Sequence, residues 1–578
     1  MRLSWLDQRL TFASLVALPF ILTFVFTTVK ARWIKRAGSK NGEHQPPPAP
    51  YTVPVLGNTV AFATDTEGFL RRMLKRFGET PFAVLVGADK LYYVPHGQPV
   101  LEMFKNSRDM TAKPLTIVAL RDSFGIAVKD LAVFFRDGSG ISSKPAEGFE
   151  DYNPDHRIFH IQHRDLHLLL SGVSLDEMTS RFVAKYTGRL DKTSEIPKSS
   201  DEWAELPDLY GFLRNEMFHA ATESLCGEHI FRLSPDFARQ FWDFDSKMIT
   251  YLRRLPRWMS PKAWRIRDEA LASVKRWRKN ASEKFDSQNE ELANAEYEPL
   301  WGAKIMRARE IMFTKSELSD DARASLDLGM LWATNANVIP ATLWALLNIY
   351  LTPGLPARVM AETSSCFDSE TGSFDIAALC SKPLLTSIYH EALRYSVALT
   401  IARNPLTPDF KLAGWKMELG SLLISNPWYG GRDTGFWNTG RVAASSGRPE
   451  HPVDSFWAER FLEYPDDPVS GPTRKDESVY RSAEGKPKSI EDDKKAKVTT
   501  AGVQGHFYPY GGGSKICPGR FFAKQEMIAA VAVLMQKFEM ELLDPDTARK
   551  AKPDQAFFPA GALPPDRAVP VRMKRRKL

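Results

Sequence analysis

The feature that most restricts how this 578-residue chain can fold is an uncharged segment near its N-terminus. Residues 10–29, LTFASLVALPFILTFVFTTV, contain no charged side chain, and a helix needs about 20 apolar residues to cross a bilayer. Lys30, Arg32, Lys35 and Arg36 follow, and basic residues that flank a span stay on the cytoplasmic side. We therefore predict one transmembrane anchor at 10–29. A cleaved signal peptide is the alternative, although no small-residue cleavage site follows.

The segment that follows the anchor predicts a stiff connector. Residues 30–50 begin with basic side chains and end in HQPPPAP, and closely spaced prolines favour an extended backbone. We interpret 30–50 as a hinge between the anchor and a folded body. Residues 51–578 show no second linker of this kind and no internal repeat, so we predict that they form one large unit.

Composition excludes several classes of protein. The chain is 43% hydrophobic and 25% charged, which is ordinary for a globular protein and argues against disorder. A net charge of +7 is small for this length, and the basic residues are scattered, so nucleic-acid binding has little support. The four cysteines are far apart and contain no C-x-x-C pair, which excludes a zinc ribbon and argues against a disulfide framework. They are Cys226, Cys366, Cys380 and Cys517.

Hydrophobic periodicity predicts a mostly α-helical fold with a minor β-sheet. Two short β-like runs lie near residues 82–96 and 421–425, and residues 440–500 are charged and rich in Gly, Pro and Ser, which is typical of an exposed excursion. The predicted helices lie near residues 208–228, 263–294, 316–351, 381–396 and 521–542.

One cysteine lies in a setting that suits metal ligation. The segment FYPYGGGSKICPGRFFAKQE places Cys517 after three glycines and just before a predicted helix. The glycines do not form a phosphate loop, because no G-K-[ST] triplet closes them. The helix N-terminus would stabilise a thiolate, and a single axial cysteine is one way in which proteins hold haem iron. An inert buried cysteine in a glycine-rich turn is the alternative.

The loop resembles that of the cytochrome P-450 family of haem-thiolate enzymes, which reads F-x-x-G-x-R-x-C-x-G. The matching positions are Tyr510, Gly513, Lys515, Cys517 and Gly519. Tyr in place of Phe and Lys in place of Arg are conservative departures that alter packing and the contact with a haem propionate. The resemblance implies the P-450 fold, haem b as the cofactor and Cys517 as the ligand of its iron.

Three further matches extend the resemblance over the whole chain. YHEALRY places Glu391 and Arg394 on one helix face, although a surface ion pair would also explain this spacing. FWAERF supplies Arg460, which in the family joins that pair in a buried network, and Arg403 lies where the family often has a cation for a propionate. The family's W-x-x-x-R motif is absent. Its segment offers His160, His163 and Arg164 instead.

The helix that crosses the haem in this family departs from the usual pattern. The pattern [A/G]-G-x-[D/E]-[T/S] falls on ATNAN, with Ala333 first, Thr334 at the glycine, Ala336 at the acid and Asn337 at the hydroxyl. Both groups of the usual proton relay are therefore missing. The resemblance makes Asn337, with Ala336 and Thr334 beside it, the candidate catalytic positions.

A proline follows within the same apolar helix. Pro340 leaves the carbonyl of Ala336 without its usual donor, so we predict a distortion beside Asn337 where an ordered water or a ligand oxygen could bind. The alternative is that Asn335 and Asn337 are satisfied core amides and that Pro340 is a simple kink.

This helix and the C-terminal ALPPDRAVPVRMKRR resemble the branch that contains cholesterol 7α-hydroxylase, sterol 12α-hydroxylase and prostacyclin synthase. The likeness implies a membrane-bound monooxygenase in the endoplasmic reticulum, supplied with electrons by an NADPH-cytochrome reductase, with cytochrome b5 as a second candidate donor. The chain also resembles fungal secondary-metabolite members of the branch, which implies a terpenoid, meroterpenoid, sterol-like or polyketide substrate. The predicted pocket residues are Trp332, Ala333 and Ala336 on the central helix, the segment Val397 to Thr400, which includes Leu399, and the segment Ala560 to Leu563, which includes Ala562.

Two other functions remain open at this level. The same branch contains an enzyme that rearranges an endoperoxide without oxygen or electrons, so an isomerase or dehydratase acting on a peroxide is one alternative. A haem-binding membrane protein without turnover is the other.

Overall fold

The structure is a computed structural model of the chain, and it describes residues 5–38, 42–442, 447–482 and 487–577, with the backbone alone for 5–16. It contains two compact units, which divide the region that the sequence predicts as one. The smaller unit comprises Met1–Leu115, Ala398–Asp433 and Ala501–Ile516, and the larger comprises Thr116–Val397, Thr434–Thr500 and Cys517–Leu578. Helix predominates over strand, as predicted.

The predicted anchor is part of one long helix, Trp5–Ala37. Its segment Ala17–Ala37 is long and apolar enough to cross a membrane. The helix continues past the predicted end of the span at residue 29, and the Thr27 hydroxyl, 3.2 Å from the Tyr51 carbonyl oxygen, connects it to its own unit. Large apolar side chains on this helix remain exposed, with Phe26 at 68%. Such a surface suits lipid contact.

The predicted hinge at 30–50 differs from a free connector. Its basic part belongs to the helix, and residues 39–41 lie outside the described ranges. The proline-rich part is extended, as predicted, but it lies along the first strand of the sheet. The Ala49 N–H donates to the Ala83 carbonyl at 2.6 Å, and the Ala83 N–H donates to the Pro47 carbonyl at 2.9 Å. Backbone pairing of this kind holds the connector against the smaller unit.

The smaller unit is built around a five-stranded sheet. Its strand order is Phe82–Val86, Asp89–Tyr93, Leu422–Ser425, Ile401–Pro405 and Met110–Thr111. The pairing of Asp89–Tyr93 with Leu422–Ser425 is parallel, and the other pairings are antiparallel. A hairpin of Lys411–Leu412 and Trp415–Lys416 accompanies the sheet. The helices of this unit are Trp5–Ala37, Thr59–Thr64, Thr66–Phe77, Gln98–Lys105, the turns Ser107–Asp109 and Gly513–Lys515, and Pro427–Gly430, with Lys113–Asp122 at the boundary.

The larger unit is mostly helical. Its helices are Val128–Arg136, Pro154–His156, Ile158–Leu169, Gly172–Lys192, Leu209–Cys226, His229–Leu233, Phe237–Asp245, Met248–Leu252, Pro261–Lys284, Glu290–Asn294, Lys304–Lys315, Asp320–Asn335, Val338–Leu351, Leu355–Ser364, Ile376–Ser381, Pro383–Ser396, Glu477–Ser482, Ile490–Lys495, Arg520–Lys537, Pro545–Arg549 and Gln555–Phe557. Val338–Leu351 is almost wholly buried, and it packs against Leu209–Cys226, Pro383–Ser396 and Arg520–Lys537. An apolar surface on all sides is what a helix in this position requires.

The strands of the larger unit correct one predicted helix. The helix expected over 521–542 ends at Lys537, and Phe538–Leu542 is a strand. Burial alternates along FEMEL, with Phe538 and Met540 buried, which is the period of a strand rather than of a helix. This strand pairs with Val571–Arg575, which in turn pairs with Ala204–Leu206. The other strand pairs are Tyr297–Glu298 with Gly302–Ala303, Phe367–Asp368 with Ser373–Phe374, and Leu462–Glu463 with Lys497–Val498.

Candidate active site

The glycine run before Cys517 allows the backbone to pack closely within the smaller unit. Gly513 has a φ of +67°, and a Cβ at this position would lie 2.5 Å from both the Phe104 carbonyl oxygen and the Ser107 hydroxyl. The same hydroxyl accepts a hydrogen bond from the Ser514 N–H at 2.9 Å. Only glycine meets both requirements. Tyr510, at the family's phenylalanine position, is half-buried.

Cys517 stands at the start of the helix Arg520–Lys537 in the larger unit, as predicted from the sequence. Burial raises the pKa of the Cys517 thiol, whereas the backbone N–H groups of Gly519 and Arg520 and the Arg520 guanidinium favour the thiolate. Burial outweighs these groups together, so a further positive charge beside the sulfur is needed to hold the thiolate. A bound metal ion would supply that charge, so this donor arrangement fits thiolate ligation of iron.

Arg403 and Lys515 are two cations buried together in the smaller unit. Arg403 donates to the carbonyls of Ala402 at 2.8 Å and Gly512 at 3.2 Å, while its Nε has no hydrogen-bond partner among the described residues. Burial lowers the pKa of Arg403 to about 10, and burial with the Arg403 charge lowers the pKa of Lys515 to about 8. Buried cations of this kind need an anion. The pair therefore fits the carboxylates of a haem.

Glu391, Arg394 and Arg460 form a fully buried network in the larger unit. Arg394 binds Glu391 in a bidentate manner at 2.6 and 2.7 Å, and Arg460 Nε donates to the same carboxylate at 3.0 Å. The Trp457 N–H adds a bond at 2.9 Å. Burial alone would raise the pKa of Glu391, but the two guanidinium groups outweigh it and hold that pKa below its usual value.

The remaining donors of both arginines are satisfied by the backbone. Arg394 donates to the carbonyls of Val453 at 2.6 Å and Ser455 at 2.9 Å, and Arg460 donates to the carbonyl of Asn438. Because a buried charge network is tolerable only when its hydrogen bonds are met, these contacts tie the segment around residues 438–460 to the helix Pro383–Ser396.

The central apolar helix is interrupted at the predicted place. It ends at Asn335 and resumes at Val338 as a separate helix that contains Pro340. Asn337 lies in the break, and its carboxamide oxygen accepts a hydrogen bond from the Ala562 N–H at 2.9 Å. The side chain holds a distant turn of the chain through this oxygen. The binding of an ordered water or a ligand oxygen beside Asn337 stays a prediction.

Gly561 shows how close this contact is. A Cβ at Gly561 would lie 2.2 Å from Asn337 Oδ1. We expect Gly561→Ala to lower the free energy of unfolding by about 1–3 kcal/mol through overpacking, and to do so much less in an Asn337→Ala background, where the obstructing oxygen is absent. Urea unfolding of the four proteins measures this coupling.

Gly329→Ala is the matched control, because its Cβ would make only an ordinary contact 3.6 Å from Phe124. Additive effects of the two substitutions would contradict the prediction.

Asn335, which the alternative interpretation makes a satisfied core amide, is only partly satisfied. It is completely buried, and its nitrogen donates to the Leu331 carbonyl at 2.9 Å and to the Thr334 hydroxyl at 3.2 Å. Its carbonyl oxygen has no partner among the described residues. The Thr334 hydroxyl donates to carbonyls of its own helix. Asn335 Oδ1, rather than Asn337 Oδ1, is thus the amide oxygen that an ordered water would satisfy.

A small cavity opens beside the helix break. Predicted pocket and catalytic positions lie on its wall, among them Trp332, Ala336, Asn337 and residues 560–562. Its full lining is Tyr210, Asp245, Met248, Trp332, Ala336, Asn337, Pro340, Phe557, Ala560, Gly561, Ala562 and Pro564. The wall combines apolar side chains with the polar groups of Tyr210, Asp245, Trp332 and Asn337.

Not every predicted pocket residue lies on this wall. Ala333 is exposed one residue further along the helix. Val397 pairs with Ala562 through an isolated bridge but does not line the cavity, and Leu399 belongs to the smaller unit.

Asp245 is a residue of this cavity that sequence reasoning missed. It ends the helix Phe237–Asp245 and accepts a hydrogen bond from Trp332 Nε1 at 2.9 Å. Burial raises its pKa to about 6, although Trp332 and Arg214 oppose the shift. The signal in the sequence was a lone acid that ends an amphipathic helix, which is too common to single out a site.

The histidine-rich segment lies on the helix Ile158–Leu169. His160 Nδ1 lies 2.9 Å from the Ile141 carbonyl, and Arg164 is exposed and paired with Asp165 at 2.8 Å. His163 stacks on His167 with ring centroids 4.4 Å apart. His167 was not a predicted site residue. Its buried Nε2 has no partner among the described residues, and burial with the Arg520 charge lowers its pKa. His167 is thus the histidine of this group whose pKa is lowered by a charge on the helix that follows Cys517.

Comparison with known families decides the identity of this arrangement. The family model described as Cytochrome P450 matches residues 215–441 and 487–568, which together exceed half of the chain. The chain belongs to the cytochrome P450 family. It is therefore a haem b protein with a cysteine thiolate ligand, a monooxygenase that receives electrons from a reductase and acts on apolar substrates. Its N-terminal helix is a candidate membrane anchor.

Relatives of this P450 confirm the predicted branch. Cytochrome P450 monooxygenase efuG of Hormonema carpetanum is 33% identical over 98% of this chain and 96% of its own length. Cytochrome P450 monooxygenase fsoE of Humicola fuscoatra is 32% identical over 97% and 94%. The 5-beta-cholestane-3-alpha,7-alpha-diol 12-alpha-hydroxylase of Sus scrofa is 23% identical over 87% and 88%. The P450 thus resembles fungal monooxygenases and sterol hydroxylases, and no comparison favours the peroxide isomerase or the non-catalytic alternative.

Proposed function

We propose that Cys517 is the thiolate ligand of the haem iron. The observation that carries the proposal is the pair of backbone N–H groups, from Gly519 and Arg520, that favour the charged form of its sulfur. Cys226 has the opposite surroundings, because burial and the nearby Asp327 carboxylate raise its pKa well above the usual value. When bound, the haem supplies oxygen activation, to which an axial thiolate contributes electron density.

Arg403 and Lys515 are proposed to bind the haem propionates. Their supporting feature is the lowered pKa of each group, which reflects burial without a counter-charge. An anion at Arg403 Nε would satisfy that donor and raise the pKa of both side chains. The Glu391 network is proposed to stabilise the fold around the haem rather than to touch the cofactor.

The side chains of the central helix break are proposed to position the substrate. Asn337 holds the turn at Gly561 and Ala562 through its oxygen, so this turn remains part of the cavity wall. Thr334 and Ala336 provide no free proton-transfer group there, since the Thr334 hydroxyl bonds its own helix. The Asp245 carboxyl is a group in the wall of this cavity that can hold or release a proton, since its pKa lies at about 6.

We propose a polycyclic apolar substrate of the terpenoid, meroterpenoid, sterol-like or polyketide class, made in fungal secondary metabolism. The similarity to fungal monooxygenases and to a sterol hydroxylase supports this substrate class, and Asp245 in the cavity wall supports one hydroxyl or similar polar group on the skeleton. The Sus scrofa relative is named as a 12-alpha-hydroxylase of a cholestane diol, and such a diol has the same combination of a ring system and few hydroxyls.

The Asp245 carboxyl predicts a pH-dependent stability. Its pKa is about 6 in the folded protein and near the usual 3.8 when unfolded. Between these values the folded state holds a proton that the unfolded state has lost, so this group lowers stability as pH rises from about 4 to 6. We expect the unfolding midpoint of Asp245→Asn, minus that of the natural protein, to increase across this window and then level off. Thermal melts in a pH series measure it, and a difference independent of pH would contradict the assignment. Asp546→Asn, at an exposed helix end, is the control.

The cellular setting is proposed from the N-terminal segment. Lys30, Arg32, Lys35 and Arg36 follow the apolar part of the anchor, which favours a cytoplasmic body on the endoplasmic reticulum membrane. We propose an NADPH-cytochrome reductase of that membrane as the electron donor, with cytochrome b5 as a second donor.

Turnover experiments test the proposed reaction. The protein is expressed in membranes with a reductase, and candidate skeletons are supplied with NADPH under ¹⁸O₂. A monooxygenase incorporates one labelled oxygen atom into the product, and omission of either NADPH or the reductase abolishes the product. Product that forms without NADPH and reductase, and without the label, would instead identify a peroxide isomerase.

A further inference from the structure

A second group of potential metal ligands lies in the smaller unit, apart from Cys517. His96 and His506 each direct Nε2 at the same oxygen of Asp433, at 3.3 and 3.2 Å. The ligand atoms of the three residues all lie within 4.8 Å of one another. The two imidazole rings have centroids 5.3 Å apart and planes inclined by 63°, so they face a common point rather than stack.

The backbone around these side chains is closely packed. The Gly97 N–H donates to the Gly505 carbonyl at 2.8 Å, which joins the segment of His96 to that of His506. A Cβ at Gly430 would lie 2.7 Å from the His506 carbonyl oxygen, so the segment that precedes Asp433 packs directly against the same backbone. Contacts of this kind fix the positions of three chain segments before any ion binds, which reduces the entropy lost on binding.

The distances match those of a tetrahedral metal site. Zinc binds histidine nitrogen and carboxylate oxygen at about 2.0–2.2 Å, which places neighbouring ligand atoms roughly 3.3 Å apart. The observed separations of 3.3 and 3.2 Å have this value. His96 Nδ1 is buried on the protein side without a partner among the described residues, which leaves Nε2 as the nitrogen that faces an ion.

The site is also accessible. The side chains of His96, Asp433 and His506 retain 20%, 29% and 13% of their exposure, so an ion and a water ligand can enter from solvent. Glu79 lies nearby, with Oε1 3.0 Å from the point where a Gly97 Cβ would lie, and it adds negative potential beside the site. Two neutral imidazoles and one carboxylate are a ligand set that suits zinc and similar divalent transition ions.

We propose that His96, Asp433 and His506 bind a divalent transition-metal ion of the zinc type, with water at the fourth position. The ion would join the segment after strand Asp89–Tyr93, the end of the turn at Pro427–Gly430, and the segment that leads to Tyr508. Tyr508 is buried and bonds the Asn426 carbonyl at 3.0 Å, so the ion would stiffen the approach to the glycine run. The proposal is independent of haem ligation by Cys517.

Metal counting tests the proposal on the full-length, haem-loaded protein in detergent. Haem loading keeps the Cys517 thiol from contributing a zinc site of its own. The protein is stripped with a chelator, given equimolar zinc sulfate and desalted, and retained zinc is measured by atomic emission. We expect one zinc per chain in the natural protein and loss of that zinc in the double variant His96→Gln, His506→Gln. His44→Gln, an exposed histidine of the same unit, should retain it.

A second variant and a second readout keep the result interpretable if the double variant folds poorly. Asp433→Asn keeps the size of the side chain but removes its charge, and we expect at least a tenfold loss of zinc affinity. Zinc should raise the unfolding midpoint of the natural protein by about 2 °C at a hundredfold excess over the dissociation constant, and should raise that of Asp433→Asn by about 1 °C or less at the same zinc concentration. Absence of retained zinc in the natural protein, or retention by Asp433→Asn and the double variant equal to that of the natural protein, would overturn the proposal.

Discussion

Replacement of Cys517 by serine is expected to abolish the carbon monoxide band of thiolate-ligated haem and to reduce turnover to background. The reason is that a serine hydroxyl is not ionised near neutral pH, so the iron loses the electron donation on which oxygen activation depends. The N–H groups of Gly519 and Arg520 remain in place, and they cannot compensate because they act only on a negative charge. The reduced carbon monoxide difference spectrum, with haem content measured in parallel, checks the result.

Cys380→Ser is the control for this prediction. Cys380 lies in the same larger unit, and burial raises the pKa of its thiol to about 11, so it is neutral and serves no charged ligand. The hydrogen bonds that Thr386 and Lys524 make at this residue use its backbone carbonyl, which the substitution keeps. The control should retain both the thiolate band and turnover. Persistence of that band in Cys517→Ser would refute the assignment of the ligand.

Replacement of Glu391 by glutamine is expected to lower the free energy of unfolding by about 3–5 kcal/mol, because it leaves two buried guanidinium groups without their shared counter-charge. The side chains of Glu391, Arg394 and Arg460 are all completely buried, so solvent cannot compensate. Burial already lowers the pKa of Arg460 to about 10, which shows how much this site disfavours an unpaired cation. Urea unfolding followed by tryptophan fluorescence measures the effect.

The same substitution at an exposed ion pair is the matched control. Glu541 pairs with Arg572 at 2.5 Å, but both side chains are about half exposed. A surface pair contributes at most about 1 kcal/mol, so Glu541→Gln should change stability by this amount or less. A loss in Glu391→Gln no larger than in the control would show that the buried network does not stabilise the fold.

Local patterns in the sequence predicted the parts of the site that depend on neighbouring residues. The spacing of Glu391 and Arg394 on one helix face led to the observed bidentate pair, and the position of Cys517 before a helix led to its backbone donors. The proline at 340 predicted the break beside Asn337. Each of these inferences rests on helix geometry, which relates residues three or four positions apart. A single short segment of sequence is therefore enough to make them.

Contacts between distant segments were beyond such patterns. The oxygen of Asn337 accepts a hydrogen bond from the N–H of Ala562, 225 residues along the chain. The periodicity of neither segment predicts that contact. For the same reason the carboxyl of Asp245 beside Trp332 was missed. The predicted pocket positions Ala333, Val397 and Leu399 do not lie on the cavity wall, since helix direction alone does not say which residue faces which neighbour.

The family, the thiolate chemistry and the presence of an apolar N-terminal helix were determined by the sequence alone, because each follows from residue types at short, fixed spacings. The tertiary structure decided which groups are charged, paired or free. Folding removed water from Arg403 and Lys515 and so lowered the pKa of both, and the packing of three separate segments brought His96, Asp433 and His506 together. Burial and long-range proximity set pKa values and ligand geometry, and both are properties of the packed chain rather than of any one segment.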